Sequence, residues 1–280
     1  NKMKRHVKKV IQGFQTSDGA GVKLTRVIGA QDVYDVDPFL MLDAFDSTNP
    51  KDYIAGFPFH PHRGIETFTY LIHGIIEHQD SLGNKGVIND GEAQWMTAGS
   101  GIIHQEMPKP APHMLGLQLW INLPQKEKMC EPAYWDILAD HVEPIVKDGI
   151  NIRVISGSLD GVSPKIQPKY VQARILDISI NKGSTLLLDI NPKNNLFIYT
   201  FNSELLNVED NTHLPKKSAV LLHEGSKVEL QALEDSRIMW FEGLPLNEPV
   251  AFGGPIVMNT REELNLAFKE LREGTFIKHK

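Results

Sequence analysis

The chain of 280 residues has a single cysteine, Cys130, so no disulfide can form within it, and a reducing, cytosolic home is the expectation. Long apolar runs are also missing. No stretch of 18 apolar residues exists to span a bilayer. The basic run Lys4, Arg5, His6, Lys8 and Lys9 is followed only by Val10-Ile11 before Gln12-Gly13, too little for the core of a signal peptide. Positive charge is in deficit: 29 Lys and Arg face 35 Asp and Glu, and a net charge of −6 argues against direct nucleic-acid binding. One cysteine also rules out a Cys-type structural zinc site. The HExxH helix motif is absent.

What remains is an ordinary globular composition, 41% hydrophobic and 23% charged, long enough for two domains. Asn1-Lys2 stand before Met3 and are set aside as an expected expression remnant. The basic run after them reads as a solvated edge strand in preference to a nuclear address. Residues 8–27 alternate weakly around the turn residues Ser17-Asp18-Gly19-Ala20-Gly21. Short strand-like runs follow at 67–72, 75–78, 87–88, 93–96 and 102–107, separated by glycine-bearing turns such as Asn89-Asp90-Gly91. Such a pattern predicts an antiparallel barrel or sandwich. Residues 114–123 alternate with Leu115, Leu117, Leu119, Ile121 and Leu123 on one face and Gly116, Gln118, Trp120 and Asn122 on the other. Gln118 is read there as part of a plain polar face, with lining of the metal cavity as the alternative.

Pro124 ends that run, and 125–144 reads as an inter-domain connection. Beyond it the same style of strand recurs without paired histidines, and His213 and His223 are isolated turn or surface residues. The expectation is an all-β chain of two antiparallel barrels, one holding metal (1–136) and one without (137–280). A single helix is predicted near the end, with Thr260 and Glu263 as a capping box, Leu264, Phe268 and Leu271 as its apolar stripe, and Gly274 as its terminator.

The chemistry concentrates in under fifty residues. In a strand, residues i and i+2 share a face about 6.6 Å apart. His60 and His62 are such a pair, and His104 and Glu106 are a second. If the two strands lie together, three imidazoles and a carboxylate converge, a donor set that suits Fe, Mn, Co, Ni, Cu or Zn. Four protein ligands on an octahedral ion leave two positions open, which favours chemistry over a purely structural role. Glu66 shares the parity of His62 and is expected to orient a ligand imidazole, with a fifth-ligand role as the alternative.

The runs HPHRGIET, DGEAQWMTAGSGIIHQEMP, GLQLWINLP and GPIVMNTREE resemble the pirin family of the cupin superfamily over nearly the whole chain. Thr97, where many cupins have proline, and the late position of His104 after Gly99 depart from the general cupin pattern in the way pirins do. The resemblance implies a bicupin fold of two double-stranded β-helix domains. It implies one Fe(2+) per chain on His60, His62, His104 and Glu106, with zinc, nickel or another divalent transition metal as a substitute. It further implies a quercetin-type 2,3-dioxygenase that opens a flavonol with O2 and releases carbon monoxide, with Glu106 as catalytic base and Phe57, Phe59 and Trp95 as stacking candidates. The alternative it implies is a metal- and redox-dependent regulator acting through protein partners, transcription factors or metabolic enzymes. A storage or vestigial metal site ranks last. A monomer in the cytoplasm is expected, or in the nucleus if the source is a eukaryote.

Overall fold

The structure, a computed structural model, describes residues 3–280; Asn1 and Lys2 lie outside the described residues. Two compact units divide the chain. One takes the N-terminal segment to Gly13, Tyr34–Pro38 and Asp140–Pro245; the other takes Phe14–Val33, Phe39–Ala139 and Leu246–Lys280. A cut at 136/137 follows chain order, whereas the units differ from it at both ends. The strand Val7–Gln12 pairs with Ser218–Leu222 in the first unit, and the last segment returns to the second, where Val257 N donates to Arg63 O at 3.1 Å. Arg5 is also not a solvated residue: it is buried and donates to the carbonyls of Gly225, Asn191 and Asn194.

Each unit pairs a seven-stranded with a four-stranded sheet, and the two units repeat one strand order. In the second unit the large sheet runs Ala133–Ile137, Ala93–Thr97, Ile65–His73, Met114–Asn122, Phe39–Ser47, Val22–Ile28, Phe14–Asp18. Its small sheet runs Phe57–His62, Ile102–Pro108, Ile76–Asp80, Lys85–Ile88. The corresponding small sheet of the first unit runs Thr185–Asp189, Lys227–Ala232, Leu205–Asn207, Thr212–Leu214. No strand ladder among the described residues joins a large sheet to a small one, so each unit consists of two separate sheets and the closed barrels expected from the sequence are not seen. The connection at 125–144 is not structureless, since Ala133–Ile137 extends the large sheet. No helix of the described residues is long and apolar enough to cross a membrane.

The two interiors differ. In the first unit Leu186, Leu188, Ile198, Leu230, Ile238 and Trp240 belong to one continuous apolar core. In the second the apolar residues form separate clusters, one around Met41, Met96 and Trp120 and another around Phe45, Leu71 and Ile76. Between them the strand register sets Gln94, Thr69, Gln118, Asp43 and Arg26 side by side across five strands. Residues in register share a face of the sheet. A polar row therefore crosses an interior that would otherwise close into a single core.

The helix Arg261–Glu273 begins and ends where capping chemistry predicts. Thr260 Oγ1 accepts from Glu263 N at 3.2 Å, and Gly274 ends it in the left-handed region at φ 75°. Leu264, Phe268 and Leu271 pack with Ile256, Met258 and Phe276.

Candidate metal centre

Strand pairing assembles the two ligand pairs. In the ladder between Phe57–His62 and Ile102–Pro108, His60 faces His104 and His62 faces Ile102. The register shifts between His104 and Glu106, an irregularity of the kind that re-aims side chains beside functional sites. Ligand atoms of His60, His62 and His104 all lie within 4.8 Å of one another. Glu106 joins from one side, its Oε1 3.3 Å from His104 Nε2.

Backbone carbonyls orient two of the imidazoles. His60 Nδ1 lies 2.7 Å from Pro58 O and His62 Nδ1 2.9 Å from Pro255 O. A carbonyl only accepts, so each Nδ1 carries the hydrogen and each Nε2 keeps its lone pair. Burial, then the neighbouring His60, lowers the His62 pKa to about 3 against the hydrogen bond to Pro255. Burial likewise takes His104 well below its ordinary value, with His62 and His60 adding to the effect.

Two observations test the fit of a metal. His62 Nε2 is buried with no hydrogen-bond partner, an arrangement that costs free energy unless a cation uses the lone pair. His60 Nε2 and His104 Nε2 stand 2.9 Å apart, where two lone pairs repel unless a proton or cation lies between them. Neighbouring ligands about 2.1 Å from one ion at right angles would be roughly 3 Å apart. The residues present therefore fit a transition metal. Burial raises the Glu106 pKa, opposed by His60 and by Gln118, and a bound cation would favour the ionised carboxylate.

Gln118 belongs to this centre, which corrects its reading as a plain polar face. Its Nε2 donates to Glu106 Oε2 at 2.9 Å, to Oε1 at 3.1 Å and to Thr69 Oγ1 at 3.0 Å. Trp120 Nε1 donates to Gln118 Oε1 at 3.4 Å, which settles which end of the amide faces the carboxylate. His60, His62 and Glu106 open onto a cavity of about 630 Å³, also lined by Phe57, Phe59, Trp120, Phe252 and Pro255. Trp120 and Phe252 stack at 6.0 Å with their planes 15° apart. Trp95 does not line this cavity; it is buried and stacks on Trp135 at 5.3 Å.

The chain end holds the ligand loop. Arg63, buried beside His62, donates to Ser100 O at 2.6 Å, Phe276 O at 2.9 Å and Glu270 Oε1 at 2.7 Å. At Gly64, with φ 80°, an added Cβ would stand 2.0 Å from Val257 O, so only glycine lets the two segments approach. Lys128 donates to Gly64 O at 2.9 Å and Val257 O at 2.8 Å, and burial lowers its pKa to about 7.

Glu66 does not orient a ligand. It accepts from Thr97 Oγ1 at 2.6 Å, while its Oε1 is buried without a partner. Burial raises its pKa from 4.5 to about 7, with the Thr97 hydrogen bond opposing. Between those values the native state binds more protons than the unfolded chain, so this group lowers stability as pH rises through the window. The full gap is worth about 3 kcal/mol. Glu66→Gln keeps the acceptor for Thr97 and removes the titration. Its unfolding free energy relative to the parent chain should therefore rise by up to about 3 kcal/mol from about pH 5 to about pH 8, read by urea titration. Parallel pH profiles for the two chains would contradict this.

Comparison with known proteins places this geometry in a family. The pirin family model matches residues 21–121, and the pirin C-terminal cupin domain model matches 175–277. A pirin-like protein of Caulobacter vibrioides is 40% identical over 275 residues, covering 97% of this chain and 99% of the relative. Human pirin is 38% identical over 264 residues, covering 92% and 89%. The crystal structure of a quercetin 2,3-dioxygenase from Acinetobacter baumannii superposes with a TM-score of 0.91 at 29% identity, covering 98% of this chain and 99% of that one. With whole-length similarity at this level, and with the histidine cluster in the unit that the pirin model matches, the chain belongs to the pirin family.

Proposed function

We propose that this protein is a cytosolic, iron-dependent flavonol 2,3-dioxygenase, with Fe(2+) held by His60, His62, His104 and Glu106. The observation that carries the reading is a cluster of three histidines, two of which, His60 and His62, stand with Glu106 on the wall of an aromatic-lined cavity of about 630 Å³, a volume suited to a flat ligand of drug size. The name of the Acinetobacter baumannii relative supports the choice of reaction. Iron(II) bound there supplies the redox chemistry that adds dioxygen to the ring and leads to its opening with loss of carbon monoxide. Glu106 accepts the proton of the flavonol 3-hydroxyl. Gln118 donates to both oxygens of that carboxylate and fixes its orientation. Phe57, Trp120 and Phe252 offer apolar faces that exclude water and hold the planar ligand.

The test is an assay that passes from anaerobic to aerobic conditions. Iron-reconstituted protein should carry about one ion per chain by elemental analysis, since four ligands fall in one unit and Leu186, Leu188 and Leu230 occupy the corresponding strands of the other. On admitting air, quercetin absorbance should fall with matching oxygen uptake and carbon monoxide release. Unchanged quercetin at full iron content would overturn the reading.

A further inference from the structure

The polar row that crosses the interior ends at a group no part of the proposed reaction uses. Arg26 lies two strands beyond Gln118, roughly 10 Å at the usual strand spacing. It lines the same cavity, together with Asp18 and Asp43. Its Nε and Nη2 each donate to Asp43 at 2.9 Å, and Nη2 also donates to Asp18 Oδ2 at 3.1 Å. The fork on Asp43 raises the Arg26 pKa further and keeps the guanidinium charged. Asp43, only 4% exposed, fixes the orientation of that guanidinium. Among the described residues no hydrogen bond engages Arg26 Nη1, which leaves two N–H donors on a side chain that lines the cavity.

Asp18 is held in place as well. Its Oδ1 accepts from Gly19 N at 2.8 Å, and the turn it opens is pinned by Ala20 N donating to Gly56 O at 2.9 Å. Two carboxyl groups thus flank one guanidinium, so formal negative charges outnumber positive ones here. A ligand carboxylate placed here meets net repulsion. A neutral hydroxyl does not, because it donates to a spare lone pair of Asp18 and accepts from Arg26 Nη1.

We propose that Arg26, with Asp18 and Asp43, forms the distal recognition end of the cavity and selects an uncharged ring carrying adjacent hydroxyl groups. The inference rests on the flavonol reading of the same cavity. It makes Arg26 a specificity residue remote from the imidazoles, at a distance that the unfused ring of a flavonol spans.

The test measures binding without turnover. Metal-loaded protein is titrated anaerobically, by quenching of tryptophan fluorescence, with three flavonols whose unfused ring carries two adjacent hydroxyls, no substituent, or a carboxylate. The dihydroxy ligand should bind about tenfold more tightly than the unsubstituted one, as one or two hydrogen bonds provide, and the carboxylate ligand most weakly. In Arg26→Met the ratio between the first two should fall to about one. In Asp18→Asn, at an exposed position that leaves the core intact, rejection of the carboxylate ligand should relax. Arg26→Lys, which keeps the charge beside Asp43, should give an intermediate ratio and serves if Arg26→Met fails to fold. A parent chain that does not distinguish the ligands, a ratio unchanged in both Arg26 variants, or no flavonol binding at all would overturn the proposal. Selective binding with no oxygen consumption after air is admitted would retain this recognition end and remove the dioxygenase. Consumption without selectivity would do the reverse.

Discussion

Glu106→Gln is expected to cut flavonol turnover by about 10²–10⁴-fold at matched iron content, the usual contribution of a positioned base. The amide keeps an oxygen that can face the metal, so iron occupancy should fall only in part. What it cannot do is take the 3-hydroxyl proton. It also disturbs its support, because Gln118 Nε2 donates to both oxygens of Glu106 and would meet an amide N–H₂ at one of them. Oxygen uptake and flavonol absorbance in both proteins provide the measurement. Equal turnover would remove Glu106 from the base role. No turnover in either protein would favour the regulatory alternative, in which partner affinity differs between the iron(II) and iron(III) forms.

The contrast between Glu106 and Gln118 shows what a sequence makes legible. His60, His62, His104 and Glu106 stand out because strand periodicity puts i and i+2 on one face, so each pair announces a shared direction before any tertiary contact is known. Gln118, Asp43 and Arg26 carry no such local sign. They become neighbours only through the register of three strands drawn from well-separated parts of the chain. On any one strand each reads as an ordinary polar residue.

Phe252 and Pro255 were illegible for a related reason. They come from the far end of the chain and reach the cavity because the last segment packs into the unit that holds the histidine cluster, anchored by Arg63. The same return of the chain ends explains why a division at 136/137 misses the compact units. The C-terminal helix, by contrast, was readable to within its caps, because capping is decided by residues three or four apart. Glu66 misled because parity places a side chain on a face but does not say which neighbour it reaches. Here the neighbour is Thr97 on the adjacent strand.

His60→Ala/His104→Ala should abolish stable metal binding while leaving the fold intact. Two of the four proposed ligands are removed, so affinity should fall well beyond the roughly 10–100-fold that follows from disturbing a residue that only supports a ligand. The fold should survive because its apolar clusters do not depend on the ion. The first unit makes the point within the same chain. Its strands Thr185–Asp189 and Lys227–Ala232 occupy the places of the two ligand strands, and Leu186 pairs with Leu230 there as His60 pairs with His104. The side chains that fill the interior there are apolar. Circular dichroism in the far and near ultraviolet should therefore match the metal-free parent, while elemental analysis finds no retained ion after gel filtration. Loss of the near-ultraviolet signal in the double variant would show instead that the imidazole cluster is needed for tertiary packing, and that the unit depends on its metal as a small zinc domain does.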